Sequence, residues 1–332
     1  MLDVAALREE VGRSLAASPP TLPPKLFYDE EGTRLFEIIT RLPEYYLSRT
    51  EIQILRTYLP RMAEYAGPAV KVVEFGSGSG EKAELLLEAM EKPASYIPVD
   101  IAREQLDLTA ARVGREFPEL RVLPLVADFT RPVRLPGVDG PEHAKSGRSL
   151  LFFPGSTIGN FEPEEARAFL QAAGVSLGSG AALIIGFDLV KARGVLEAAY
   201  DDAAGVTAAF NLNALRHVNR VLQTDFQLQR FRHRAIWNPE ASRIEMHLVA
   251  LEDQMVTLPS SLGQTPQHRL RLRAGDHMVT EHSYKYTLEG FRALAEAAGW
   301  KTMETWTDPR GWFAVGFLEW TPFGDVFEGA LS

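Results

Sequence analysis

Short apolar runs alternate with amphipathic stretches through the middle of this 332-residue chain. Runs near residues 70–75, 95–99, 121–127, 149–153 and 181–187 have the length and apolar content of buried strands. Between them, residues 81–91, 102–116 and 162–177 space apolar side chains for helices with one buried face. Alternation at this spacing predicts right-handed crossovers and a parallel sheet covered on both faces. Residues 131–147, rich in Pro, Gly and charge, read as a surface excursion.

The pattern differs on either side of this core. Ahead of it, helices flank Pro19-Pro20-Thr21-Leu22-Pro23-Pro24, which is expected to run extended. Leu35, Phe36, Ile38 and Ile39 mark one buried helix face, and Leu42-Pro43-Glu44-Tyr45-Tyr46 breaks that helix. Ser48 or Thr50 then caps a helix from Glu51 to about Tyr58. After Lys191, helices near 194–203 and 208–222 precede alternating strands at Gln227–Trp237, Arg243–Leu251 and His268–Arg273. Asn238 to Ser242 reads as a five-residue hairpin loop. If Trp237 pairs with Arg243, His233 and His247 face one another as a cross-strand pair. Arg269-Leu270-Arg271-Leu272-Arg273 reads as a strand with a solvated charged face. A helix at Leu288–Ala298, a strand at Lys301–Thr307 and a strand at Phe313–Trp320 close the chain as a helix and hairpin. The expected division is 1–66 (N-terminal helices), 67–190 (Rossmann-like core), 191–286 (inserted α+β block) and 287–332 (return to the core sheet).

Composition narrows the classes. A net charge of -9 argues against nucleic acid or an anionic membrane as the main partner. With no cysteine, disulfides, thiolate catalysis and cysteine zinc sites are removed together. The longest apolar stretch, Gly180–Phe187, is too short to span a bilayer, and the acidic amphipathic N-terminus carries no signal pattern. A cytoplasmic monomer is expected.

Chemistry concentrates where the first strand ends. Val72-Val73-Glu74-Phe75 runs into Gly76-Ser77-Gly78-Ser79-Gly80, and a helix opens at Glu81. Glycine belongs where backbone takes positive φ or approaches a ligand closely. The spacing is G-x-G-x-G, whereas dinucleotide loops read G-x-G-x-x-G. That spacing, with Glu74 two residues ahead, resembles the first motif of class I methyltransferases that use S-adenosylmethionine, and disfavours an NAD-dependent oxidoreductase. Asp100 ends the next strand, where a carboxylate suits ribose hydroxyls. Asp128 ends the third, where it would meet an adenine amino group. After the fourth strand, Pro154-Gly155-Ser156-Thr157-Ile158-Gly159-Asn160-Phe161 would face the reacting methyl. A plainer use for Asn160 is to cap the helix that begins near Glu162.

Together these segments resemble one family, the S-adenosylmethionine-dependent L-histidine Nα-methyltransferases that make hercynine on the route to ergothioneine. The resemblance runs through Leu22–Asp29, Leu42–Tyr46, Glu74–Lys82, Gly155–Asn160, Ala199–Asp202, Phe210–Asn213, Arg243–Met246 and Glu281–Ser283. It implies a class I Rossmann-like doubly wound α/β sheet with an inserted α+β cap domain. It also implies a methyl-donor site made by Gly76, Lys82, Asp100, Asp128 and Phe129, with Tyr28 beside the transferred methyl. Asn160 and Tyr200 would bind the histidine carboxylate, Tyr45, Glu281 and Ser283 the imidazole, and Met246 would line the ring pocket. Gly155 would offer its carbonyl near the amine, so Tyr28, Gly155 and Asn160 stand nearest the chemistry. No metal is implied. Related chains often have Ser or Thr where this loop carries an extra glycine, which is expected to loosen the turn slightly. The alternatives are a relative acting on an indole amino acid and a catalytically silent S-adenosylmethionine-binding protein.

Overall fold

The computed structural model describes residues 4–78, 80–131, 133–136, 147–258 and 268–321. The chain forms two compact units, Met1–Tyr46 with Lys191–Tyr284, and Leu47–Val190 with Lys285–Ser332. The helix through residues 47–66 thus goes with the core, 20 residues ahead of the expected boundary at 66/67.

The second unit is built on one sheet. Its strands are β1 (Lys71–Phe75), β2 (Ser95–Asp100), β3 (Arg121–Val122), β4 (Leu125–Val126), β5 (Ser149–Phe153), β6 (Ala182–Asp188), β12 (Trp300–Thr307) and β13 (Phe313–Trp320). The order is β12-β13-β6-β5-β1-β2-β3, with β4 also on β2. β1 to β6 pair in parallel, while β13 runs antiparallel to β6 and β12 antiparallel to β13. Every residue of β1, β5 and β6 is buried, as a sheet covered on both faces requires. This is the doubly wound α/β sheet expected from the sequence. Its order reverses beside β1, so the carboxyl ends of β1, β2 and β5 flank the switch point where such sheets take ligands.

Two expectations for this unit need correction. The third strand, read as continuous over 121–127, is two short pieces. Pro124 between them has no N–H to give β2, while Leu123 and Ala127 donate to the Tyr96 and Asp100 carbonyls at 2.8 and 3.1 Å. Helix α3 runs from Tyr46 to Ala66, so Ser48 and Thr50 lie inside it and cap nothing. The break at Leu42–Tyr46 is a tight turn, with Tyr45 donating to Leu42 and Tyr46 to Glu44.

The first unit holds α1 (Val4–Leu15), α2 (Glu30–Ile39), α7 (Arg193–Tyr200) and α8 (Val206–Leu222). Strands β7 (Phe231–Asn238), β8 (Arg243–Ala250) and β11 (His277–Tyr284) form an antiparallel sheet in the order β11-β8-β7. β9 (Gln254–Leu258) and β10 (His268–Leu272) form a separate ribbon. Arg269, Arg271 and Arg273 are exposed as expected.

Strands β9 and β11 were not foreseen. In β11 the register shifts between Val279 and Glu281, and this bulge breaks the period of two that marks a strand. The β7–β8 register also differs from expectation. Asn238 rather than Trp237 pairs with Arg243, which sets His233 opposite Leu248 and His247 opposite Arg234. The cause is local: Asn238 Oδ1 accepts the N–H groups of Glu240 and Ala241, both at 3.1 Å, and closes a tighter loop. The proposed histidine pair does not form. His233 bonds Asn211 and the Tyr200 carbonyl, whereas His247 bonds Glu245 and stacks on His277.

Candidate active site

At the carboxyl end of β1, Gly76, Gly78 and Gly80 all take positive φ, at 72°, 46° and 72°. Gly80 is the N-cap of α4 (Glu81–Ala89), and a Cβ there would lie 2.6 Å from Thr109 Cγ2 and 2.9 Å from Arg112 Nη2. Close packing therefore leaves little room for a side chain at Gly80. Thr109, on α5 (Arg103–Glu116), donates to the Gly78 carbonyl at 2.8 Å and ties the loop down. Asp100 accepts from the N–H groups of Gly78 at 3.3 Å and Ala102 at 3.0 Å. Burial raises its carboxyl pKa, and those backbone donors offset the rise only in part. Ser77 Oγ is buried without a partner among the described residues, an orphaned hydroxyl beside a backbone cradle. A polar nucleotide-like ligand fits that combination.

The neighbouring strand ends complete this side. Asp128 accepts from the Thr130 N–H at 3.0 Å and its hydroxyl at 2.5 Å. Phe129 stacks on Phe75, with ring centroids 5.5 Å apart and planes 8° from parallel. Its ring comes within 3.6 Å of where a Cβ on Gly76 would stand. Glu74 is buried and bonded to the Tyr96 hydroxyl. Burial pushes its carboxyl up to about 8, against the opposing pull of that hydrogen bond and of Lys82.

Beyond β5, Gly155 has φ 84° and Ser156 φ 58°, and a 3-10 turn over Thr157–Asn160 follows. Ser156 Oγ accepts the Asp188 N–H at 3.0 Å, fixing this loop to the end of β6. Asn160 does not cap the next helix. Glu162 is the N-cap of α6 (Pro163–Leu177), and its N–H donates to Glu165 at 3.1 Å. Lys82 Nζ and the Gly155 N–H both reach Glu51, a residue read from sequence only as the start of a helix.

In the first unit the predicted substrate residues other than Asn160, together with Tyr28, form a second group. Tyr28 follows a 3-10 turn over Pro24–Phe27 and precedes Asp29, the N-cap of α2. Asp29 accepts from the Gly32 N–H at 2.9 Å, from Asn213 at 2.7 Å and from Arg220 at 2.8 Å, so the backbone next to Tyr28 is pinned. Gly32 must lack a side chain, since a Cβ would sit 1.6 Å from the Phe27 carbonyl oxygen. Aromatic rings run onward by edge contacts from Tyr28 to Phe36, to Tyr45 and to Tyr200, with centroids 5.9 to 6.2 Å apart. Tyr200 Oη lies 2.8 Å from Ser283 Oγ, both groups being buried.

Glu281 and Ser283 share one face of β11, two residues apart, and pair with Met246 and Ile244 on β8. All four are buried. The bulge at Thr280, whose hydroxyl donates to the Met246 carbonyl at 3.0 Å, sets this phase. Sequence reasoning missed Glu51, Ser77 and Thr109. Glu51 left a signal: Leu47, Glu51, Ile54 and Leu55 fall on one helical stripe, and all four are buried.

The model of a family described as histidine-specific methyltransferase, SAM-dependent, matches residues 7–320. The chain belongs to this family. A histidine N-alpha-methyltransferase of Mycolicibacterium smegmatis is 43% identical over 314 residues, covering 93% of this chain and 94% of the relative. Ergothioneine biosynthesis protein 1 of Neurospora crassa is 32% identical over 298 residues, covering 87% of this chain but 32% of that longer protein. A 4-dimethylallyltryptophan N-methyltransferase of Epichloe festucae var. lolii is more distant, 29% identical over 316 residues, covering 89% of each chain. Membership makes the chain an S-adenosylmethionine-dependent enzyme on a class I methyltransferase sheet. Among the described residues, no helix is long and apolar enough to cross a membrane.

Proposed function

We propose that this enzyme methylates the α-amino group of L-histidine three times in succession, yielding hercynine for ergothioneine biosynthesis. The observation that carries the reading is the buried pair Glu281 and Ser283 on one face of β11, beside Tyr200, in a chain of the histidine-specific family. A buried carboxylate is a natural acceptor for an imidazole N–H, and a hydroxyl serves either ring nitrogen. An indole needs less polar company, so the tryptophan-type alternative finds less support in this strand.

S-adenosylmethionine supplies an electrophilic methyl on a sulfonium. Gly76, Asp100, Asp128, Phe129 and Lys82 would hold it, and Tyr28 would stand by the methyl. Tyr45, Glu281 and Ser283 would orient the imidazole, with Met246 along the ring, and Asn160 and Tyr200 would hydrogen-bond the carboxylate. The Gly155 carbonyl would accept from the amine and direct its lone pair in line with the departing sulfur. No covalent enzyme intermediate is required. Alignment of this kind is worth roughly 7–11 kcal/mol in favourable cases. Tyrosine faces add about 0.5–2 kcal/mol toward the cation that develops on nitrogen. Because an ammonium has no lone pair, the rate should rise with pH as the amine deprotonates.

The displacement needs no Lewis acid, and the proposal is a cytoplasmic monomer acting without metal, membrane or nucleic acid. Incubation with S-adenosylmethionine and a panel of free amino acids, read by mass, tests the reading. Histidine should be consumed and the trimethyl product should build up. Consumption of an indole amino acid instead, or a product that stops at one methyl, would refute it.

A further inference from the structure

We propose that Glu51 is a positioning residue of the methyl-donor side, one buried carboxylate that holds Lys82 and the Gly155 backbone together. The proposal rests on the reading of Lys82 and Gly155 as reaction-site residues. Glu51 lies on α3 and is 1% exposed. Its Oε2 is 2.5 Å from Lys82 Nζ, and both carboxylate oxygens lie 2.9 Å from the Gly155 amide nitrogen. Space for the carboxylate is made by Gly186 in β6, where a Cβ would stand 1.9 Å from Glu51 Oε1. Three elements thus converge on one charge: the first turn of α4, the exit from β5 and the middle of β6.

Burying a carboxylate is costly, and a buried ion pair is a poor device for stability alone. What this one does is fix two groups that are otherwise free to move. Lys82 sits two residues beyond the glycine loop, in the first turn of α4, on a long side chain that is only partly buried. Glu51 sets where its ammonium stands. Gly155 has φ 84°, a backbone state with wide freedom, and the bond from its N–H limits that freedom and so aims the carbonyl that follows. Lys82 also neutralises the buried charge, so each group depends on the other.

The test is calorimetric binding of S-adenosylhomocysteine to the full chain and to Glu51→Gln, Lys82→Met and the double variant, with melting temperature read in parallel. The amide of Glu51→Gln keeps the shape and an acceptor for Gly155 but loses the charge that holds Lys82. Coupled groups predict that each single variant weakens binding by about tenfold, and that the double variant is no weaker than the worse single. The Gly155 role predicts a lower kcat for histidine in Glu51→Asp, whose shorter side chain cannot span both partners. Wild-type affinity in Glu51→Gln, or losses that multiply in the double variant, would overturn the proposal even if the melting temperature falls. If Glu51→Gln does not fold, Glu51→Asp carries the same binding comparison. Failure of the wild type to methylate histidine while binding S-adenosylhomocysteine would instead refute the substrate reading.

Discussion

The two units supply their proposed site residues in opposite ways. In the sheet unit, Gly76 to Lys82 lie within one strand-turn-helix segment, Asp100 ends a strand, and Asp128 and Gly155 each lie two residues past a strand end. In the other unit, Tyr28, Tyr45, Tyr200, Met246, Glu281 and Ser283 come from five stretches spread over most of the chain. The first arrangement works through backbone geometry and glycine φ, the second through side chains that packing brings together. Damage to the first should be abrupt. Damage to the second should be graded and should retune the preference for substrate.

The largest effect is expected from Gly80→Val. A branched side chain at φ 72° would lie against Thr109 and Arg112. Left-handed strain of ~1–3 kcal/mol and overpacking of ~1–3 kcal/mol predict that affinity for S-adenosylhomocysteine falls ~30-fold or more. Calorimetry measures this directly, and an unchanged affinity would mean the turn rearranges at no cost. Glu281→Gln should act on the other side of the comparison. Loss of a charge-assisted hydrogen bond worth ~1.5–3 kcal/mol predicts a histidine KM higher by roughly 10–100-fold. Affinity for S-adenosylhomocysteine should stay the same. If both constants move together, the division of labour between the units is wrong.

A smaller and sharper contrast lies in two acids, one per unit. Burial raises the Glu74 carboxyl from 4.5 to about 8, so the folded state holds its proton. Its contribution is greatest below pH 4.5 and declines as pH rises toward about 8. Burial also raises Glu245, but hydrogen bonds from Asn238, Arg243 and His247 outweigh it and hold the carboxyl down at about 2. Its contribution is present above pH 4.5 and is lost as pH falls toward about 2. Melting curves across pH should show Glu74→Gln gaining on the wild type between pH 4.5 and 8. Glu245→Gln should be less stable at neutral pH and should converge with the wild type in acid. The opposite slopes would refute these assignments.

The same contrast explains what the sequence made legible. The parallel core, its order of elements and the glycine turn rest on local periodicity and turn chemistry, and these survive in one dimension. Interruptions were harder to see. Pro124 splits a strand that its apolar neighbours suggested was whole, and the Thr280 bulge hides β11 from a search for alternation. One extra bond pattern at Asn238 moved the hairpin register by one residue and dissolved the histidine pair. Glu51 was masked because a charge on a helix usually faces water. Only the opening left by Gly186, 135 residues further on, shows why this one is buried. The proposed substrate residues came from family resemblance, since no local pattern joins Tyr45 to Ser283.

The most direct test of the account is a crystal structure of the enzyme with histidine and S-adenosylhomocysteine together. It should show ribose hydroxyls on the Asp100 carboxylate and an imidazole N–H on Glu281, with the Ser283 hydroxyl on the ring. A ribose bound away from Asp100, or a histidine ring that touches neither Glu281 nor Ser283, would contradict it.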